Sequence, residues 1–279
     1  MKLLKPVYAL LLTLVVLFAA SCHCGKPDTD EAKPKEAKFT LGVASYTFRK
    51  FTIDETLAFM QKLEINNLSL KSFHLRLDAS DEEIAQMVQK CKDAGINLYA
   101  GGVIYMTSED EVDQAFEYAS KTGMKMIVGV PNHELLPYVE NKVKAYDIKL
   151  AIHNHGPGDK LYPSAESAYL LIKEMDPRMG LCIDIGHTKR IDRDPSQDVK
   201  DFYDRVFDIH VKDVTRADHD GSTCEIGRGV IDLKTFLSDL IELEYDGIVA
   251  FEYEKDGDNP FAGFAESVGY VRGMLEALK

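Results

Sequence analysis

The chain has 279 residues, 28% of them charged, and its 46 acidic against 33 basic side chains leave a net charge of −13. Such a surface repels a phosphate backbone, which argues against a nucleic-acid partner. The five cysteines, Cys22, Cys24, Cys91, Cys182 and Cys224, are scattered without a C-x-x-C pair and set out no disulfide framework.

Lys2 and Lys5 precede an apolar run from Ala9 to Ala20, too short to span a bilayer comfortably, that ends in Ala19-Ala20-Ser21 before Cys22. This pattern predicts an export signal over residues 1–21. Small residues directly before a cysteine resemble those of bacterial lipoproteins, so Cys22 is expected to be lipid-modified and to become the N-terminus. Such an anchor places the protein in the bacterial cell envelope and confines membrane contact to the lipid. Loss of residues 1–21 removes two lysines and no acid, leaving a net charge of −15. Residues 22–38 carry Lys, Glu, Asp and two prolines with almost nothing apolar before Phe39, a composition that cannot form a core and reads as a flexible tether.

Residues 39–279 continue without a linker-like interruption and are expected to form one domain. Strand-like apolar runs recur near 40–47, 66–72, 97–104, 124–130, 148–155, 180–186, 206–213 and 247–253. Helical patterns lie between them. Ser80 with Glu83, and Ser108 with Glu111, are predicted capping boxes, and Gly95 and Gly123 are placed to stop the helices that follow. Further helices are expected over 53–63, 135–146, 164–175, part of 198–207, 233–243 and 264–278. Eight strand-then-helix units of about 30 residues predict a (β/α)8 TIM barrel, whose active site lies at the carboxyl-terminal ends of its strands. No Gly-x-Gly-x-x-Gly follows the first strand, which disfavours a dinucleotide-binding sheet.

Four of the later strands end in groups that bind metals: Leu150-Ala-Ile-His153-Asn-His155, Leu181-Cys-Ile-Asp184-Ile-Gly-His187, Val206-Phe-Asp-Ile-His210-Val-Lys212-Asp213 and Ile248-Val-Ala-Phe-Glu252-Tyr-Glu254. Side chains alternate along a strand, so neighbouring tips can bring His153, Asp184, His210 and Glu252 to one point. A lone histidine is more often a hydrogen-bonded core or surface residue. Asp184 and Glu252 shift that balance, because a carboxylate inside an apolar strand carries a heavy desolvation cost unless a cation or several donors compensate it. Two imidazoles and two carboxylates form a mixed nitrogen and oxygen set that suits transition-metal ions better than Ca²⁺. The expected cofactor is one divalent ion, Mn²⁺, Co²⁺, Zn²⁺, Ni²⁺ or Mg²⁺.

The ordered motifs Asp184-Ile-Gly-His187, His210-Val-Lys212-Asp213, Gly227-Arg228-Gly229-Val-Ile-Asp232 and Tyr245-Asp246-Gly247 before Glu252 resemble the xylose isomerase-like TIM barrels. That superfamily includes sugar isomerases and epimerases, inosose dehydratase and endonuclease IV. The resemblance covers essentially the whole domain after the tether. It implies one catalytic divalent ion at strands five to eight, which binds adjacent oxygens of a sugar while a base removes a proton from carbon. Typical epimerases of the group carry glutamate where this chain has His153, and their paired glutamates act from two faces of the reacting carbon. Only Glu252 of that pair is present here. One-face proton abstraction, followed by isomerisation or by loss of a β-leaving group, therefore fits as well as two-face epimerisation. Secreted members resembling this chain are associated with 3-keto sugars and glycosides, which adds a lyase or hydratase alternative.

In this reading Glu252 doubles as base, and His155, His187 or Lys71 takes or returns the proton. Lys71 reads equally well as lining the mouth. Lys212 either binds a substrate hydroxyl or pairs with Asp213, and Arg228 either reaches substrate or braces its loop. His74, Tyr46 and Tyr105 complete the expected substrate contacts, whereas His133 and His219 are expected in solvent. No basic cluster or glycine-rich phosphate loop is visible, so an unphosphorylated carbohydrate is the expected partner. A three-metal nuclease is disfavoured because strands one, three and four end in Ser45-Tyr46-Thr47, Val103-Ile104-Tyr105 and Val130-Pro131-Asn132. The rival of another class is a non-catalytic carbohydrate-binding lipoprotein that keeps Tyr46, Phe48, Phe73 and Tyr105 at its mouth.

Overall fold

A computed structural model describes residues 35–279. The expected export signal, Cys22 and the tether as far as residue 34 lie outside the described residues. Strands β1 (Thr40–Ala44), β2 (Asn67–Leu70), β3 (Asn97–Met106), β4 (Met126–Pro131), β5 (Lys149–His153), β6 (Met179–Asp184) and β7 (Val206–Val211) run parallel. Strands β8 (Asp213–Val214) and β9 (Thr223–Cys224) pair as a short antiparallel ribbon, and β10 (Ile248–Phe251) then takes the last barrel position. The eight parallel strands close as a TIM barrel in the order β1, β10, β7, β6, β5, β4, β3, β2, with Val43 opposite Phe251 at the seam.

The intervening helices start where local chemistry dictates. Thr52 with Glu55 and Ser80 with Glu83 form full capping boxes ahead of helices 53–62 and 81–93. Ser108 accepts from the Glu111 N–H, but the Glu111 carboxylate turns instead to Thr107, which offers it both a backbone N–H at 2.6 Å and a hydroxyl at 2.7 Å. The expected box is therefore half formed. Gly95 and Gly123 adopt φ values of 71° and 78°, the left-handed conformation that ends a helix without a Cβ clash.

The barrel seam is held from outside by aromatic packing. Phe48 and Phe264 are 5.3 Å apart, Phe59 and Phe261 4.6 Å, which ties helix 53–62 and the turn before it to helix 261–277. At the strand tips the β3–β4 register slips between Gly102 and Ile104, leaving Val103 outside the ladder. A Cβ on Gly102 would lie 2.5 Å from that of Val128, so this close approach needs glycine. The Val103 carbonyl then accepts a hydrogen bond from the Lys71 ammonium at the barrel mouth.

Candidate metal centre

Parallel register sets four neighbouring strand tips side by side in a stepped row. Asp184 stands opposite His210, and His153 is opposite Cys182. Glu252 extends β10 by one step, its N–H donating to the Val211 carbonyl at 3.1 Å. His153, Asp184, His210 and Glu252, all buried, each place one ligand atom within 4.8 Å of the others. His153 Nε2 lies 3.1 Å from His210 Nδ1, 3.5 Å from Asp184 Oδ2 and 3.7 Å from Glu252 Oε2, while His210 Nδ1 is 3.2 Å from Glu252 Oε2.

Lys212, directly after β7, completes the cluster. Its ammonium is 2.8 Å from both Asp184 Oδ2 and Glu252 Oε2 and 3.0 Å from Glu254 Oε1. Its stem runs over Gly186, where a Cβ would collide with it, so the glycine of Asp184-Ile-Gly-His187 makes room for the lysine. Asp213 is not its partner. That carboxylate instead accepts the backbone N–H groups of Val214, Gly227, Gly229 and Ile231 at 2.9 to 3.2 Å, fixing the Gly227-Arg228-Gly229 loop.

Burial pushes the Glu252 carboxyl up, but the ammonium of Lys212 and then His210 outweigh it and hold the group well below the ordinary glutamate range. Asp184 is likewise raised by burial and lowered further by Lys212 and His187, for a net downward shift. Burial lowers the His153 imidazolium, yet hydrogen bonding to Asp184 and Glu252 overrides it and raises the group to about 9. Two buried carboxylates thus stand against one ammonium and one imidazolium.

This donor set fits a divalent ion. The ring nitrogens of His153 and His210 point at each other, and Asp184 Oδ2 has no well-directed hydrogen bond even with Lys212 close by. A cation satisfies all three. Behind His210, Asp208 Oδ2 is 3.8 Å from Nε2, beyond hydrogen-bond reach, and accepts from the Tyr99 hydroxyl at 3.0 Å. Cys182 also approaches His153 and His210, and burial and then Asp208 raise its thiol well above the ordinary range.

Above the cluster opens a cavity of about 240 Å³ with His153 and Glu252 in its floor and Lys71, Tyr105, His155 and His187 among its walls. Strand β5 ends at His153, two residues short of the expected boundary, yet the His155 ring is 4.6 Å from that of His153. His155 Nε2 is 3.0 Å from the Tyr105 hydroxyl, and Nδ1 faces Asp159 at 3.9 Å. Burial, reinforced by the His153 charge, lowers it to about 4. His187 is lowered to about 3, chiefly by burial, on a helix capped by Asp184, whose Oδ1 accepts the His187 N–H at 2.7 Å. Burial also lowers Lys71. Tyr46 and Glu254 line the cavity too. His74 turns away to the Phe51 carbonyl at 3.0 Å, and Arg228 is exposed and paired with Glu266 at 2.5 Å; neither lines the cavity. His133 and His219 are exposed.

The shifts set a pH optimum for the metal-free fold. His153, raised to about 9, contributes stability that is complete below its unfolded value near 6.5 and lost as pH rises through 9. His155 and His187, lowered to about 4 and 3, contribute above 6.5 and lose that contribution on acidification. Asp208, raised to about 6 mainly by burial, regains stability as pH falls below 6 and offsets one of these two histidines. Thermal unfolding of chelated protein is expected to peak near pH 6.5 and to fall by about 1.4 kcal/mol per pH unit on the alkaline side. A divalent ion displaces the His153 proton, so in its presence the alkaline limb should flatten. A limb that persists with metal bound would show that His153 is not a ligand.

Residues 57–274 match the family model described as xylose isomerase-like TIM barrel. The chain belongs to that family. Inosose dehydratases of Salmonella typhimurium (strain LT2) and Salmonella agona (strain SL483) are 30% identical to it over 129 residues, 40% of this chain. The match spans 42% of each of those enzymes, less than half their length. Among solved structures, an uncharacterized protein from Parabacteroides distasonis is 28% identical, with a TM-score of 0.68 over 85% of this chain and 99% of that one. An L-ribulose 3-epimerase (14% identity, TM-score 0.71, 86% and 95% covered) shares the fold. So does 3-keto-D-glucoside 4-epimerase from E. coli (14% identity, TM-score 0.68, 85% and 100% covered). The buried His153, Asp184, His210 and Glu252 cluster of this xylose isomerase-like barrel is consistent with the divalent-metal site typical of the family.

Proposed function

We propose that the protein is a divalent-metal-dependent sugar isomerase or epimerase-type enzyme that removes a proton beside the carbonyl of an unphosphorylated sugar or keto-sugar. The observation that carries this reading is the position of Glu252, ionised by Lys212, which belongs to the four-ligand cluster and also lines the cavity. A divalent ion held by His153, Asp184, His210 and Glu252 would supply Lewis-acid polarisation of the carbonyl. Glu252 then accepts the proton on one face. The cavity's two carboxylates, Glu252 and Glu254, both follow β10, so the proton returned on the other face would come from the Lys71 ammonium, with neutral His155 and His187 placed to accept one. Lys71 is the one lysine or arginine in the lining, which suits an uncharged sugar better than a phosphorylated one.

Elimination or hydration of a 3-keto-glycoside by the same first step is the second reading. The Tyr105 hydroxyl favours it, because its hydrogen bond to His155 backs a donor that can protonate a departing oxygen at the mouth. Similarity to inosose dehydratases points the same way. The N-terminal pattern supports an envelope location anchored through Cys22.

The test is NMR of metal-loaded protein in D2O with free sugars and 3-keto-glycosides. Deuterium at the carbon beside the carbonyl, or release of the aglycone, is expected, and chelation should abolish either. Ligands that bind without any exchange would instead identify a non-catalytic carbohydrate-binding protein.

A further inference from the structure

Three aromatic side chains are exposed at the rim of the cavity: Tyr46 at 37%, Phe73 at 45% and Tyr105 at 51%. Tyr46 and Tyr105 line the cavity itself, and the Phe73 ring lies 6.4 Å from that of Tyr46, just outside it. Each ring is held from behind. The Arg49 guanidinium stacks 5.0 Å over Tyr46 while donating to the Glu254 carbonyl at 2.8 Å. Phe73 packs edge-on at 4.6 Å against His74, which is tied to the Phe51 carbonyl, and the Tyr105 hydroxyl is bonded to His155. Rigid aromatic surface left in water beside a cavity marks a place for a ligand.

Size decides how the ligand is divided. The cavity's 240 Å³ lies below the roughly 300–1,000 Å³ of sites that enclose a whole multi-ring ligand. A reacting sugar ring fills it, and anything attached to that ring must emerge over the rim. We propose that Tyr46, Phe73 and Tyr105 form a second sugar subsite, so that the substrate is a disaccharide or larger glycoside whose non-reacting pyranose stacks on Phe73 and Tyr46. The rim sets aromatic faces beside the Arg49 guanidinium and a tyrosine hydroxyl, which matches the C–H faces and hydroxyls of a pyranose.

The proposal rests on the carbohydrate reading above, and its test needs no turnover. Dissociation constants of disaccharides and of their constituent monosaccharides are measured by NMR titration with the native protein and with Phe73→Ala. The native protein should prefer the disaccharide, and the variant should lose roughly 3- to 10-fold of that preference, the loss expected for one aromatic face. Equal affinity for the two sizes, or a preference that Phe73→Ala leaves intact, overturns the subsite. Preference lost in the variant while no sugar exchanges deuterium would uphold the subsite and sink the catalytic reading. Exchange with free sugars but no dependence on Phe73 would do the reverse.

Discussion

Glu252→Gln is expected to slow carbon deuteration by roughly 10²- to 10⁴-fold, the contribution of a positioned general base. The amide keeps the shape and one acceptor oxygen but cannot take a proton. Its neighbours sharpen the interpretation, because Glu252 also pairs with Lys212 at 2.8 Å and with His210 at 3.2 Å. A rate that falls only in proportion to metal content, measured by elemental analysis of the same sample, would make Glu252 a ligand and nothing more. A rate that collapses in a variant still carrying a full complement of metal would establish the base.

The barrel and its four tips were legible in the sequence for one physical reason. Strand alternation fixes which side chains share a face, and a carboxylate in an apolar strand has to be compensated, so Asp184 and Glu252 mark a polar centre in the sequence itself. Reach was not legible. Lys212 follows β7 and was expected against a hydroxyl or Asp213, yet its flexible stem crosses Gly186 to Asp184 and Glu252, a path set by neighbouring strands. Arg228 and His74 likewise satisfy themselves on Glu266 and the Phe51 carbonyl, partners that sequence spacing does not reveal. Asp208 carried a usable signal, since it lies two residues before His210 and so on the same strand face. Its partner Tyr99, 109 residues away, comes within reach only when the barrel closes. Glu254, two residues beyond Glu252, was similarly available to alternation.

Lys212→Met is expected to destabilise the metal-free protein by about 3–5 kcal/mol, because it strips the ammonium from two buried carboxylates while keeping a stem that still packs over Gly186. For a domain of this size that corresponds to a melting temperature lower by roughly 6–20 °C. His153 alone then offsets Asp184 and Glu252, and Asp184 is fully buried. A divalent cation supplies what was removed. Saturating metal should therefore restore most of the loss, since an ion at about a thousand times its dissociation constant adds about 4 kcal/mol to the folded state. The variant should also bind that ion more tightly than the native protein does, because no ammonium competes for the same two oxygens. Calorimetry of both proteins, with and without metal, separates the roles available to Lys212. A residue that serves only to bind substrate would leave the metal-free melting temperature unchanged, whereas one that holds the charge of the empty cluster makes folding of the variant depend on the cation.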